Sequence, residues 1–460
     1  MNVRVLRIEL RRSVAPWAGA VLLASALAFL YLLGVGSGTT AWTAQWTALA
    51  LGTRGLLVYL WPLAVGLGAL QGLRDHRSTM AELLTSTSRP AWHRAATLAG
   101  TMAITLVSAF ALFVLGGAVQ VFANTEYTHL GWLPISLVGA LSLVAGAVLG
   151  MGAGRAMPSA LTPPALAMGA FVFTALMHMS MERTDPATGM LSTEPSRVSL
   201  LSPAVGEVRD ALVTLSASVH VGQTLWLLGL AATGFALLVD ATPRARLIAL
   251  TPVLAGAAVA LLVLPSDPRR IYVVDEAAAE LVCDGPVCVA KTQQARLADL
   301  AGPGKEALRL LHGALGDQAP VSVRENTAVL SDGAMPQWSR KTVLFDFDDD
   351  LIVAAQGEEL TWALIAEGMV PGCSPVGLHT INVNDAVAQS VAVGWVLGDL
   401  KPLPGTVSAS LGLDAKARPV WKELKALPEA EQLSRINAMR AAALSCKGDA
   451  YDALTGGASR

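Results

Sequence analysis

Long uncharged apolar runs fill the chain up to Pro265, separated by short polar segments; beyond Pro265 the apolar runs are short and broken by charge. A helix needs about 20 apolar residues to cross a bilayer. Seven runs approach that length, at 14–36, 55–73, 97–123, 131–154, 159–181, 220–239 and 247–265. The third, TMAITLVSAFALFVLGGAVQVFA, is too evenly apolar for a surface helix, which would show a polar face. The fourth is rich in Gly and Ala, as helices that pack closely in lipid often are. A soluble helix bundle has no need of seven such runs in succession, so the pattern predicts a membrane bundle. The first run follows an Arg-rich start, as a signal peptide would. Its apolar stretch exceeds the usual signal core of about 7–15 residues, and more spans follow directly, so it reads as a retained helix.

After Pro265 the pattern predicts short strands at Ile271–Asp275, Glu280–Cys283, Val287–Ala290, Val321–Val323, Thr342–Phe347 and Leu351–Ala355, with helices over 291–316 and 418–447. The expected fold class is a polytopic α-helical membrane bundle followed by a soluble α/β domain.

Composition agrees: 53% of residues are apolar and 15% charged, where soluble domains carry about 25% charged residues. The charge is uneven. Residues 1–264 hold 15 Arg, no Lys and 10 acids, whereas 265–460 hold 18 basic and 25 acidic residues. The basic residues stand singly or in pairs, which gives no nucleic-acid footprint. Orientation follows from Arg in the short loops, because cytoplasmic loops carry the excess. With the N-terminus inside, inner segments carry Arg4, Arg7, Arg11, Arg12, Arg74, Arg77, Arg89, Arg94, Arg155, Arg244 and Arg246; outer ones carry Arg54, Arg183, Arg197 and Arg209. Seven spans then put the C-terminal domain outside. If 220–265 were one long broken helix, the count would be six and the domain cytoplasmic. Pro243, Arg244 and Arg246 favour a cytoplasmic turn there.

All four cysteines, Cys283, Cys288, Cys373 and Cys446, lie in the second part. An even count confined to one soluble region fits an oxidising compartment. Three pairings are possible. The string Cys283-Asp284-Gly285-Pro286-Val287-Cys288 reads as a tight hairpin that brings its cysteines within disulfide reach. That favours Cys283–Cys288, with Cys373 pairing Cys446 and tying the C-terminal helix to the domain core.

The loop Arg74–Arg94, RDHRSTMAELLTSTSRPAWHR, is the longest inner one. Ser78 can cap a helix starting near Thr79, and Glu82 suits its positive N-terminal end. Met80, Leu83 and Leu84 share one face, and Ser86–Pro90 ends the helix. Ser78, Thr79, Met80, Glu82, Leu83, Leu84, Ser86, Thr87 and Arg89 resemble the loop between spans two and three of export-type (type-2) ABC transporter permeases. The likeness covers about residues 1–245. It implies that Thr79, Met80, Glu82, Leu83, Leu84 and Arg89 form a coupling helix that docks on a cytoplasmic nucleotide-binding ATPase subunit. The alternative is a basic loop whose helix lies on lipid headgroups. The resemblance further implies a six-span domain over 1–245 and a homodimer or heterodimer of permeases in membrane lipid. Here a seventh span (246–266) and an extracytoplasmic domain (267–460) are added, which departs from the family pattern.

No predicted span carries an acid or base at its centre, which argues against ion-coupled transport. No P-loop is present: Gly302-Pro303-Gly304-Lys305-Glu306 lacks the earlier glycine and the Ser/Thr after Lys. ATP would be used by the partner, and the chain itself needs no cofactor. His178 and His220 lie near span ends and read as interfacial. A helix starting at Pro203 would, by the resemblance, cap the exit side of the pathway; the alternative is a solvated loop. Asp346, Asp348, Asp349 and Asp350 lack the glycine and final acid of a calcium loop, and read as a solvated strand end. His379 with Asp385 has no nucleophile near it, and His312 reads as exposed on a helix. No metal site or catalytic constellation emerges. Eight Lys against 25 Arg, with much Ala, fits a high-GC bacterial genome. The expectation is therefore a permease subunit of an ATP-driven exporter in a bacterial plasma membrane. It would move an amphipathic small molecule, peptide or antibiotic, with the outer domain binding, gating or assembling. The alternative is a membrane-anchored extracytoplasmic receptor or sensor; a degenerate membrane-bound peptidase is a weaker third.

Overall fold

The computed structural model describes residues 13–37, 45–77, 90–125, 127–184, 191–193, 195–204, 212–239, 242–267, 270–330, 334–375, 382–405 and 412–457. The chain divides into two compact units, Met1–Asp275 and Glu276–Arg460.

The first unit is helical. In order come α1 (Ala15–Ser37), α2 (Trp46–Gly55), α3 (Leu57–Gly72), α4 (Ala91–Asn124), α5 (Trp132–Ala156), α6 (Thr162–Met179), α7 (Ala217–Val239), α8 (Pro243–Ile248) and α9 (Thr251–Val263). Among the described residues five stretches are long and apolar enough to cross a membrane: α4, α5, α6, α7 and Pro243–Val263. A sixth follows if α2 and α3, bent by 52° to each other, count as one. The part of α1 over Ala15–Phe29 is apolar but shorter. Each of the seven apolar runs thus falls on a helix, and the unit is compatible with a helical membrane bundle.

The bundle closes on glycine. A Cβ at Gly68 or Gly72 of α3 would overlap the backbone of α5 at Ala147 or Met151, and one at Gly150 of α5 would overlap the Val65 carbonyl of α3. On the other side of α5, Gly152 meets Gly234 of α7 backbone to backbone. Small residues let helices approach closely where burial of apolar surface gives no driving force in lipid.

α7 and α9 form a hairpin, not one broken helix. Gly229 of α7 lies against Pro252 and Gly256, and Gly222 against Leu264. Two short strands tie the far ends of this hairpin together: β3 (Val213–Leu215), just before α7, pairs antiparallel with β4 (Tyr272–Val274), just after α9. The expected strand at Ile271–Asp275 therefore belongs to the first unit. A second antiparallel pair joins β1 (Glu182–Thr184) and β2 (Leu191–Thr193).

The second unit is built on a four-stranded sheet in the order β5 (Leu281–Asp284), β6 (Val287–Ala290), β7 (Ser322–Glu325) and β8 (Thr342–Phe345). β5–β6 is an antiparallel hairpin; β6–β7 and β7–β8 are parallel. Parallel neighbours need a crossover, and α10 (Leu297–Leu315) supplies it between β6 and β7, burying Leu300, Ala307, Leu308 and Leu311. Then follow α11 (Asp350–Ala354), α12 (Glu358–Met369), α13 (Val383–Leu397), α14 (Leu413–Lys425), α15 (Glu429–Ser445) and α16 (Ala450–Thr455). One core joins Val287, Val323, Val343 and Phe345 of the sheet to Leu364, Val391, Leu424 and Met439 of these helices.

Two expectations are corrected here. Leu351–Ala355 is not a strand: the Asp349 carboxylate accepts the Leu351 N–H at 2.8 Å and caps α11. The long helix over 418–447 is two helices, α14 and α15, with Pro428 as the N-cap of the second. α12 and α13 have no counterpart among the elements expected from sequence.

Candidate functional site

The expected coupling residues Thr79, Met80, Glu82, Leu83, Leu84 and Arg89 lie outside the described residues, as do the helix start after Ala204 and His379. Their flanks are described: α3 leads into one helical turn, Arg74–Arg77, and α4 starts at Ala91 behind Pro90. That end of the bundle is also where α5 and α7 finish. Arg155 donates to the Leu238 carbonyl, and Arg246 to the Ala156 carbonyl at 2.9 Å. Arginine side chains thus satisfy helix-terminal carbonyls, which the helix leaves unpaired, and suit the negative end of the helix dipole. The cationic turns gather at one end of the unit. The β3–β4 pair, from which the chain leaves toward Glu276, sits at the other.

The residue that sequence reasoning misses is Arg54. Its position between apolar runs suggests an outer loop; instead it lies in the last turn of α2 and is fully buried. Its stem runs past Gly139 of α5, where a Cβ would stand 3.6 Å from Arg54 Cγ. Its Nη2 donates to the Pro203 carbonyl at 3.0 Å and to Gln223 Oε1 of α7 at 2.8 Å. The Gln223 amide in turn donates to the Leu200 carbonyl at 2.9 Å, and Trp226 Nε1 to the Leu201 carbonyl at 2.9 Å. One short segment, 196–204, is so pinned by α2 and α7 together. Among the described residues Arg54 Nε and Nη1 find no hydrogen-bond partner, and neither does the buried hydroxyl of Ser136 on α5. The only signal in the sequence is a lone arginine between apolar stretches, which hydropathy alone assigns to a loop.

His220 lies in the first turn of α7, half-buried, and His178 is exposed at the end of α6. A third histidine, His129, sits between α4 and α5. Its Nε2 lies 3.3 Å from the Thr47 hydroxyl, its Nδ1 accepts the Gly131 N–H at 3.1 Å, and Asp275 stands 3.8 Å away. Burial pulls its pKa below the ordinary value, against the pull of Asp275.

In the second unit Cys283 is bonded to Cys288 across the β5–β6 hairpin, and Cys373 to Cys446 at the end of α15. Cys446 takes a left-handed conformation that ends the helix. Arg440, buried on α15, donates to the carbonyls of Gly368, Gln318 and Arg340 at 3.0, 2.7 and 3.0 Å. It latches α15 to α12 and to both loops around β7. The Asp346–Asp350 run is a capping turn, with Asp346 accepting the Asp348 N–H at 3.0 Å. Behind it Glu367 is buried in α12. Desolvation, with Asp349 and Asp346 adding repulsion, lifts its pKa well above the ordinary carboxylate range. Gly302–Glu306 falls inside α10, so it forms no phosphate loop, and His312 is exposed there. Among the described residues no three His, Cys, Asp or Glu side chains are placed to hold a metal ion.

Comparison with protein-family models, with curated proteins and with solved structures gives no match. The class the described residues define is a largely helical protein, with apolar helices that suggest membrane insertion, joined to a unit carrying two disulfides.

Proposed function

We propose that this chain is the permease subunit of an ATP-driven exporter of the ABC type, with its N-terminus in the cytoplasm and the disulfide-bonded unit outside. The observation that carries the reading is the sorting of the bundle's two ends. Arg155 and Arg246 cap helices at the end where the Arg74–Arg94 segment begins and finishes. An excess of arginine marks the cytoplasmic side, so the loop that resembles a coupling helix faces a cytoplasmic ATPase. The opposite end, where the chain passes on toward Cys283–Cys288 and Cys373–Cys446, faces the oxidising compartment that disulfides need. The α7–α9 hairpin supports an odd number of crossings. The cargo is an amphipathic small molecule, peptide or antibiotic, and the soluble α/β unit binds it, gates the pathway or holds an assembly partner.

The test is co-purification with a nucleotide-binding protein and its ATPase stimulation. Glu82→Arg, or Leu83→Asp with Leu84→Asp, is expected to lower stimulation at least tenfold by removing a contact worth about 1.4 kcal/mol or more, while leaving expression and melting unchanged. A purified protein that never associates with an ATPase sinks the reading.

A further inference from the structure

We infer that Arg54 and Ser136 form a binding site for an anionic oxygen group, a carboxylate or a phosphate, beneath the 196–204 segment. This inference does not rest on the transport reading.

A buried guanidinium is tolerated when a carboxylate pairs with it or hydrogen bonds satisfy all its N–H groups. Among the described residues Arg54 has neither. It is fully buried, and its partners are two neutral acceptors, the Pro203 carbonyl and Gln223 Oε1, both taken up by Nη2. Among the described residues Nε and Nη1 keep N–H groups with no acceptor. Arginine offers five donors and cannot shed its charge, so a full positive charge stands in the bundle with no carboxylate beside it among the described residues.

The next orphan is also a donor. Ser136 lies one turn before Gly139 on α5, and so on the face that Arg54's stem crosses. Its neighbour Ile135 packs with Ala50 and Leu51 of α2 and with Leu200 of the 196–204 segment. Among the described residues its hydroxyl finds no hydrogen-bond partner. Nearly all buried polar groups in proteins are partnered, so unpaired ones call for an explanation. Arg54 Nε–H and Nη1–H and the Ser136 hydroxyl can all donate, and among the described residues acceptors reach Nη2 alone. An anionic oxygen answers all of them at once, with charge-assisted bonds about twice as strong as neutral ones. A protonated acid or a second cation would not.

The cover over the site is described by its bonds. Segment 196–204 is held by Arg54, Gln223 and Trp226. An anion enters as that segment lifts, so binding is slow and the Trp226 indole reports it.

The experiment uses the full chain in nanodiscs of neutral phosphatidylcholine. Acetate and inorganic phosphate are titrated at constant ionic strength while melting temperature and tryptophan fluorescence are followed. A parallel arm replaces part of the lipid with phosphatidylglycerol and omits free anion, which separates a soluble ligand from a lipid headgroup. The expected result is a saturable shift in at least one arm. Arg54→Gln abolishes the shift, Arg54→Lys keeps part of it, and Ser136→Ala weakens affinity about tenfold, the loss of one bond to a charged group. If Arg54→Gln does not fold, Arg54→Lys and Ser136→Ala decide the matter. A wild type with no saturable response in any arm, or a response that Ser136→Ala and Arg54→Lys leave unchanged, overturns the inference.

Discussion

Glu367 and Arg440 are buried ionisable groups of the second unit that the fold accommodates in opposite ways. Arg440 succeeds because three carbonyls meet its guanidinium. Glu367 lies buried near two other acids, and its folded pKa is raised well above the unfolded value. The sign of the linkage follows. Below the unfolded pKa both states hold the proton and burial costs no charge. As pH rises through the window between the unfolded and folded values, only the unfolded chain ionises, and stability falls. Glu367→Gln, which cannot ionise, is therefore expected to melt close to wild type at pH 5 and above it at pH 8. Equal gains at both pH values would refute the assignment. Neither residue was legible in the sequence. Nothing local marks one glutamate among 25 acids of the second part as buried, because burial is set by what packs over α12.

At the scale of elements, the helix seams decide the first unit. Gly150 and Gly116 are both helical glycines. The first faces the α3 backbone; at the second, an added methyl would meet nothing within 4 Å. Gly150→Ala must push α3 and α5 apart and is expected to cost about 2 kcal/mol, in the range of overpacked cores. Gly116→Ala removes a flexible residue from an open helix face and is expected to stabilise by up to about 1 kcal/mol. Thermal unfolding of the two variants in one detergent reads both, and equal effects would contradict the seam. Among the elements, the seven apolar runs were legible because membrane helices leave an unbroken apolar signature. α12 and α13 were not. Their runs LTWALIAEGM and VAQSVAVGWVL are apolar on most faces, as buried helices are, and such runs lack the period that separates helix from strand. At Leu351–Ala355 a β-prone string of branched residues lost to the Asp349 cap.

For the molecule as a whole, the two disulfides differ in reach. Cys373–Cys446 closes a separation of 73 residues and Cys283–Cys288 one of 5. Loop entropy assigns them about 4 and about 2 kcal/mol respectively, the longer loop gaining more. Cys373→Ser with Cys446→Ser is thus expected to lower the melting temperature of the second unit more than Cys283→Ser with Cys288→Ser; the reverse order would show that native packing, not chain entropy, governs. The same cysteines test topology. An impermeant thiol reagent applied to intact cells is expected to label the chain after reduction only. Labelling that needs broken membranes would place the second unit inside.

The sequence by itself determined the division into an apolar helical part and a polar part, the helices of the bundle, the β5–β6 hairpin and its cysteine pair. Each is local: it depends on run length, on turn residues, or on two residues close along the chain. The turn between the runs 220–239 and 247–265 was also legible, in Pro243, Arg244 and Arg246; the tertiary structure alone decided that α3, α5 and α7 meet backbone to backbone and that Arg54 lies inside the bundle. Those outcomes depend on which distant residues come together around a side chain. A lone arginine reads the same in a loop or in a core until Pro203 and Gln223 are seen to close over it.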